Sequence, residues 1–121
     1  MSKTVLVVDD FNSTRQVIQS ILEKSGHIAL LAESGKDALK FLDGRDIDLL
    51  LTDLNMPDMN GIELTKAIRK SEKYYKIPVI MLTTETKEPK LQEAHDAGIT
   101  GMLKKPFDSK EFMNVINRAL R

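Results

Sequence analysis

Val5–Leu6–Val7–Val8 and Leu49–Leu50–Leu51 are apolar at every position rather than at alternate ones, and acids follow both runs: Asp9 and Asp10 directly after the first, Asp53 two residues after the second. A strand written this way is buried on both faces, which demands a sheet with helices on each side. The rest of the chain supplies the matching parts. Short strand candidates at 5–8, 28–32, 49–51, 79–82 and 101–104 alternate with amphipathic segments, and that alternation is the sequence mark of a parallel α/β sheet. With 121 residues, 41% of them apolar, the expectation is one domain, 1–121, that buries roughly two thirds of the surface its unfolded chain exposes.

The helices have readable ends. The first takes Asn12 or Ser13 as N-cap, carries a stripe of Val17, Ile18, Ile21 and Leu22, and stops at Gly26. The second runs from Ser34, with Asp37 three residues on in a capping-box pattern, through Ala38, Leu39 and Leu42 to Gly44. Asn60 and Glu63 cap the third, Leu64, Ala67 and Ile68 face inward, and Arg69 and Lys70 suit its negative end. Tyr74 and Tyr75 read as finishing that helix. Pro89 opens the fourth and Gly98 closes it. In the fifth, Asp108 pairs with Glu111, Phe107 staples to Phe112, and Phe112, Val115, Ile116 and Ala119 recur at helical spacing.

Charge and composition exclude several classes of partner. Lys plus Arg number 18 and Asp plus Glu number 18, so no net field draws the chain to nucleic acid or to an acidic membrane surface. Without cysteine there is no disulfide or thiolate metal site. No apolar run approaches the ~20 residues of a membrane span, and Met-Ser-Lys-Thr lacks the apolar core of a signal peptide. The expectation is a cytoplasmic protein with no direct nucleic-acid contact and no membrane insertion. His27 and His95 lack the spacing of a metal motif, and Lys66, Arg69, Lys70 and Lys73 read as solvated helix surface.

In open parallel sheets, ligands bind outside the carboxyl ends of the strands. If the first and third strands are neighbours, Asp9, Asp10 and Asp53 converge there. Two carboxylates about 4 Å apart repel by about 4 kcal/mol at an effective dielectric near 20, a large cost against the marginal stability of a small domain. A hard divalent cation would offset it. One or two carboxylates, a backbone carbonyl and waters form the incomplete shell that magnesium prefers when a phosphate will share it, whereas calcium would want more protein oxygens. Lys105, directly after the last strand candidate, offers an ammonium to an incoming anion; its neighbour Lys104 reads as exposed.

The order Asp9-Asp10, Asp53-x-Asn55-Met56-Pro57, Thr83-Thr84 and Lys105-Pro106-Phe107 resembles the receiver domains of two-component response regulators, over nearly the whole chain. Pro57-Asp58-Met59-Asn60-Gly61 and Ala97-Gly98-Ile99-Thr100-Gly101 extend the likeness, which is nearest to single-domain, CheY-like receivers. The resemblance implies a flavodoxin-like (βα)5 fold, a doubly wound five-stranded parallel sheet in the order 2-1-3-4-5. It implies that Asp53 is the phosphoacceptor, Asp10 a direct Mg2+ ligand, Asp9 a ligand partly through water, and the backbone carbonyl of Asn55 the completion of the protein shell. Thr83 and Lys105 then meet the phosphoryl oxygens, and the side chains of Asn55 and Glu85 tune hydrolysis of the aspartyl phosphate. Lys105–Pro106 matches the family's cis peptide. Met102 departs from the pattern where many receivers carry an aromatic switch residue, and an unbranched, adaptable side chain is expected to report the switch less sharply.

The implied role is a phosphorelay switch, not a classical enzyme, that assists its own phosphorylation and dephosphorylation. Its implied partners are a CheA-like histidine kinase as phosphodonor, a downstream protein target and, as a further candidate, a phosphatase, in chemotaxis or motility signalling. Alternatives on the same fold are a phosphorylation-independent interaction module and a receiver excised from a longer regulator. A flavin binder is opposed by acids where a flavin phosphate would want backbone donors. A phosphatase is opposed by Asp53-Leu54-Asn55, which lacks a second acid.

Overall fold

The computed structural model describes residues 2–121. Five strands, β1 Thr4–Val8, β2 Ile28–Ala32, β3 Leu49–Asp53, β4 Val79–Thr83 and β5 Gly101–Lys104, form one sheet in the order β2-β1-β3-β4-β5. Every pairing is parallel. Helices α1 Asn12–Lys24, α2 Gly35–Leu39, α3 Gly61–Arg69, α4 Glu88–Ala97 and α5 Ser109–Ala119 make the crossovers. The fold and strand order are those expected, and β1, β3 and β4 extend by one or two residues beyond their apolar runs.

Alternation along each strand sorts the core into two layers. Val5, Val7, Leu49, Leu51, Ile80 and Leu82 pack under Ile18 and Leu22 of α1 and Phe112 and Ile116 of α5. Leu6, Val8, Leu50 and Val79 face Ala38, Leu64 and Ile68 on the other side, where Leu54, Ile62, Met81 and Ala94 extend the layer towards α4. The uninterrupted apolar runs follow directly from this two-sided cover.

Several helix ends differ from the sequence reading, each for a local reason. Phe11 is the N-cap of α1 and gives no side-chain bond; its N–H turns instead to Asp9 Oδ1 at 2.9 Å, and Asn12 Oδ1 accepts from Arg15. The buried stripe of α1 centres on Ile18 and Leu22, which leaves Val17 55% exposed. Helix α2 ends at Leu39 because Lys40, Phe41 and Leu42 donate to the carbonyls three residues back, the tighter pattern that closes a helix. Ser34 caps α2 as expected, but the Asp37 carboxylate takes the Glu33 N–H rather than that of Ser34. Asn60 and Glu63 form a complete capping box, Asp108 caps α5, and Phe107 and Phe112 stack with centroids 5.3 Å apart. Helix α4 begins one residue before Pro89, and Gly98 closes it with φ 103°.

The two tyrosines do not extend α3, which ends at Arg69. Tyr74 is buried in the following turn, where its hydroxyl donates to the Arg45 carbonyl at 2.7 Å and accepts the Gly44 N–H at 2.9 Å. Tyr75 is exposed. Arg69 likewise leaves the solvated group to which the sequence reading assigned it. Its Nε and Nη2 donate to the Gly98 carbonyl at 3.0 and 2.7 Å, and its Nη1 to the Tyr75 and Ile77 carbonyls at 2.9 and 2.7 Å. One guanidinium thus joins the end of α4 to the segment between α3 and β4, and removal from water lowers its pKa.

Candidate active site

Register places the acids. Val8 pairs with Thr52, so Asp9, one residue further along β1, arrives beside Asp53 at the end of β3. Oxygens of Asp9, Asp10 and Asp53 lie within 4.8 Å of one another. Gly61 lets α3 start against this strand end, since a Cβ there would collide with the Asp53 carbonyl and lie 2.7 Å from Met81 Sδ. From the far side of the sheet, Lys105 reaches Asp9 Oδ2 at 3.0 Å and Asp53 Oδ1 at 3.4 Å. Its backbone N–H is anchored on the Thr83 carbonyl at 2.9 Å, and the Lys105–Pro106 peptide is cis.

The three acids are held differently. Asp9 is fully buried and engaged at both oxygens, by Phe11 N–H and by Lys105. Asp53 is 5% exposed, and burial raises its pKa; attraction to Lys105 works against that, and the charges of Asp9 and Asp10 add to it. Burial pulls the Lys105 pKa down, but its hydrogen bond to Asp9 and the attraction of Asp53 and Asp9 outweigh burial and leave it raised. Asp10 is only partly buried, yet its Oδ1 is shut off from solvent without a hydrogen-bond partner.

An orphaned carboxylate oxygen beside two further carboxylates and one ammonium is electrostatically incomplete. All donors are hard oxygens, one of them free, and three formal negative charges face one positive from Lys105. The residues therefore fit a small hard divalent cation and would hold it through Asp10 and Asp53, with Asp9 behind them.

The other candidate residues ring this centre. Thr83 is buried at the end of β4, and its Oγ1 accepts the Glu85 N–H at 2.7 Å, so its hydroxyl proton is free to point elsewhere. Asn55 is exposed and Glu85 partly exposed on the loops after β3 and β4. Met102, partly buried on β5, lines a cavity of about 280 Å³ together with Thr83, Glu85 and Leu91. Thr84 and Lys104 are exposed.

Sequence reasoning passed over Arg15, whose Nη1 donates to the backbone carbonyl of Asp9. The available signal was a cation in the first turn of a helix, where the dipole disfavours one.

The family model for the response regulator receiver domain matches residues 5–117. The chain belongs to the response regulator receiver family. Chemotaxis protein CheY of Pseudomonas aeruginosa is 37% identical over 115 residues, which cover 94% of this chain and 93% of that protein. The crystallised chemotaxis protein CheY4 of Vibrio cholerae superposes with a TM-score of 0.94 at 38% identity, covering 99% of this chain and 100% of that one. The receiver domain of a sensor histidine kinase from Pseudomonas aeruginosa, solved with a magnesium ion coordinated in its active-site cleft, superposes at 0.90 with 26% identity, covering 99% and 98%. The chain is thus a CheY-like receiver, from a signalling family rather than one of classical enzymes. No described helix is long and apolar enough to cross a membrane.

Proposed function

We propose that this receiver is a magnesium-dependent phosphoacceptor whose modified and unmodified states differ in affinity for protein partners, in chemotaxis or motility signalling. The observation that carries the reading is the orphan oxygen of Asp10 among three carboxylates faced by Lys105. An Asp53 oxygen forms the new bond to phosphorus while the phosphorus–nitrogen bond of a kinase phosphohistidine breaks, and the imidazole leaves with that electron pair. Charge spreads over three phosphoryl oxygens in the transition state, and Lys105 is within reach to neutralise part of it. A magnesium ion, when bound, would supply the remaining neutralisation. Thr83 has a hydroxyl proton to offer one phosphoryl oxygen, and Asn55 and Glu85, on the flanking loops, tune access of water.

On this reading the donor is a CheA-like histidine kinase, the output a cytoplasmic protein target, and residues 1–121 a single receiver domain. Incubation with acetyl phosphate and magnesium should add one phosphoryl mass, peptide mapping should locate it on Asp53, and EDTA or Asp53→Asn should abolish it. A phosphoryl group found elsewhere with Asp53 free would overturn the assignment. In calorimetry, Asp10→Asn should weaken magnesium binding more than Asp9→Asn, because both Asp9 oxygens are already engaged whereas Asp10 keeps a shielded oxygen with no partner; equal, undiminished affinity in both variants would contradict the metal assignment.

A further inference from the structure

Asp9 and Asp10 are adjacent, yet their polar atoms are treated in opposite ways. Every polar atom of Asp9 is engaged: its N–H by the Ala32 carbonyl at 3.2 Å, Oδ1 by Phe11 N–H, Oδ2 by Lys105, and its carbonyl by Arg15. Asp10 keeps a solvent-shielded oxygen with no partner. Arg15 is the unusual member of the first group. It lies in the first turn of α1, where the unpaired N–H groups carry partial positive charge and where no acid is present to balance a cation. Its guanidinium bends back over the helix start, with Nη1 on the Asp9 carbonyl and Nη2 on Asn12 Oδ1 at 3.3 Å. Among the described residues it forms no ion pair with a carboxylate, so its hold is on neutral oxygens.

The carbonyl that Arg15 grips belongs to the peptide joining Asp9 to Asp10. Fixing that peptide plane fixes the N–Cα bond of Asp10, the axis about which its side chain is set. We propose that Arg15 is a positioning residue that orients the Asp9–Asp10 peptide so that the orphan oxygen of Asp10 is presented to a divalent cation. The inference rests on the magnesium reading above. Two effects of Arg15 oppose each other: as a bare charge near the acids it repels a dication, and as a clamp it holds a ligand in place. The sign of the mutational effect therefore separates them.

Magnesium titration of the whole chain by calorimetry, with the melting temperature in EDTA as a folding control, compares wild type, Arg15→Ala and Arg15→Lys. If Arg15 acts as a clamp, Arg15→Ala weakens magnesium binding by about tenfold, the scale on which residues that orient metal ligands act. Arg15→Lys, which keeps a donor able to reach the same carbonyl, restores most of it. Unchanged or tighter binding in Arg15→Ala, or a loss in Arg15→Lys equal to that in Arg15→Ala, overturns the proposal. Should Arg15→Ala melt too low to titrate, Arg15→Gln takes its place and must show the same weakening. A wild-type chain that binds no magnesium would overturn the metal reading itself, and the inference with it, whereas tight wild-type binding with an indifferent Arg15→Ala overturns the inference alone.

Discussion

At the scale of single residues, Asp53 carries a tension between stability and chemistry. Its folded pKa is raised above the ordinary 3.8, chiefly by burial, so the folded state favours the protonated form. Stability from that preference is fully present below about 3.8 and is lost as pH rises through the folded value. At neutral pH, without metal, ionised Asp53 is therefore a liability. Asp53→Asn should melt higher than wild type in EDTA at pH 7. The gap should close as pH falls towards 3.8, and magnesium should raise the wild-type melting temperature more than that of the variant. Melting curves across pH with and without magnesium check both signs; a variant less stable than wild type at pH 7 would contradict the argument.

At the scale of elements, the sequence was legible at the caps of α3 and α5 and along the doubly buried strands, and less so at the start of α1, where Phe11 rather than Asn12 or Ser13 is the cap. Asn60 with Glu63 and Asp108 with Glu111 announced their helices because capping joins residues three apart, and the strands were visible because burial on both faces leaves an unbroken apolar run. Tyr74 and Arg69 were misread for the converse reason: Tyr74 bonds across 29 and 30 residues and Arg69 to Gly98 across 29, and neither partner carries a side-chain signal, because both offer only backbone. The acids and Lys105 were legible by their positions at strand ends, and the resemblance implied different metal roles for Asp9 and Asp10, but the unequal hydrogen bonding of the two acids is something spacing does not encode. Arg69→Ala removes charge-assisted bonds to three carbonyls and should cost about 2 kcal/mol, or roughly 8 °C. Hydrogen exchange should rise in 71–78 and at 98–100. Arg69→Lys should recover only part of the loss, since an ammonium lacks the planar fork that serves three acceptors at once.

At the scale of the whole molecule, Thr83, at the end of β4, lines a cavity with Leu91 of α4 and Met102 of β5, which on the proposed function would couple the phosphoacceptor to the α4–β5 face. Movement of its hydroxyl towards a phosphoryl group would change the cavity of about 280 Å³ that it lines with Glu85, Leu91 and Met102. A two-state equilibrium shifts only by the difference in binding free energy between its states, and a flexible methionine that fits both shapes adds little to that difference. Met102→Ala should therefore reduce phosphorylation-dependent partner affinity less than Thr83→Ala does. Partner titrations with phosphorylated and unmodified forms of each variant test the ordering, which fails if Met102→Ala erases the affinity difference while Thr83→Ala preserves it.

The clamps of Tyr74 and Arg69 sit where chain enters β3, β4 and β5, whereas the acids, Thr83 and Lys105 sit where chain leaves the strands. The sheet thus carries long-range tethers at one end and the acid cluster proposed as the phosphoacceptor at the other. Tyr74→Phe should lower stability by about 1 kcal/mol and leave the rate of modification by acetyl phosphate unchanged. A lineage of such receivers could accordingly adjust heat tolerance at the entry end without retuning signal lifetime, and adjust lifetime at the exit end without refolding the molecule.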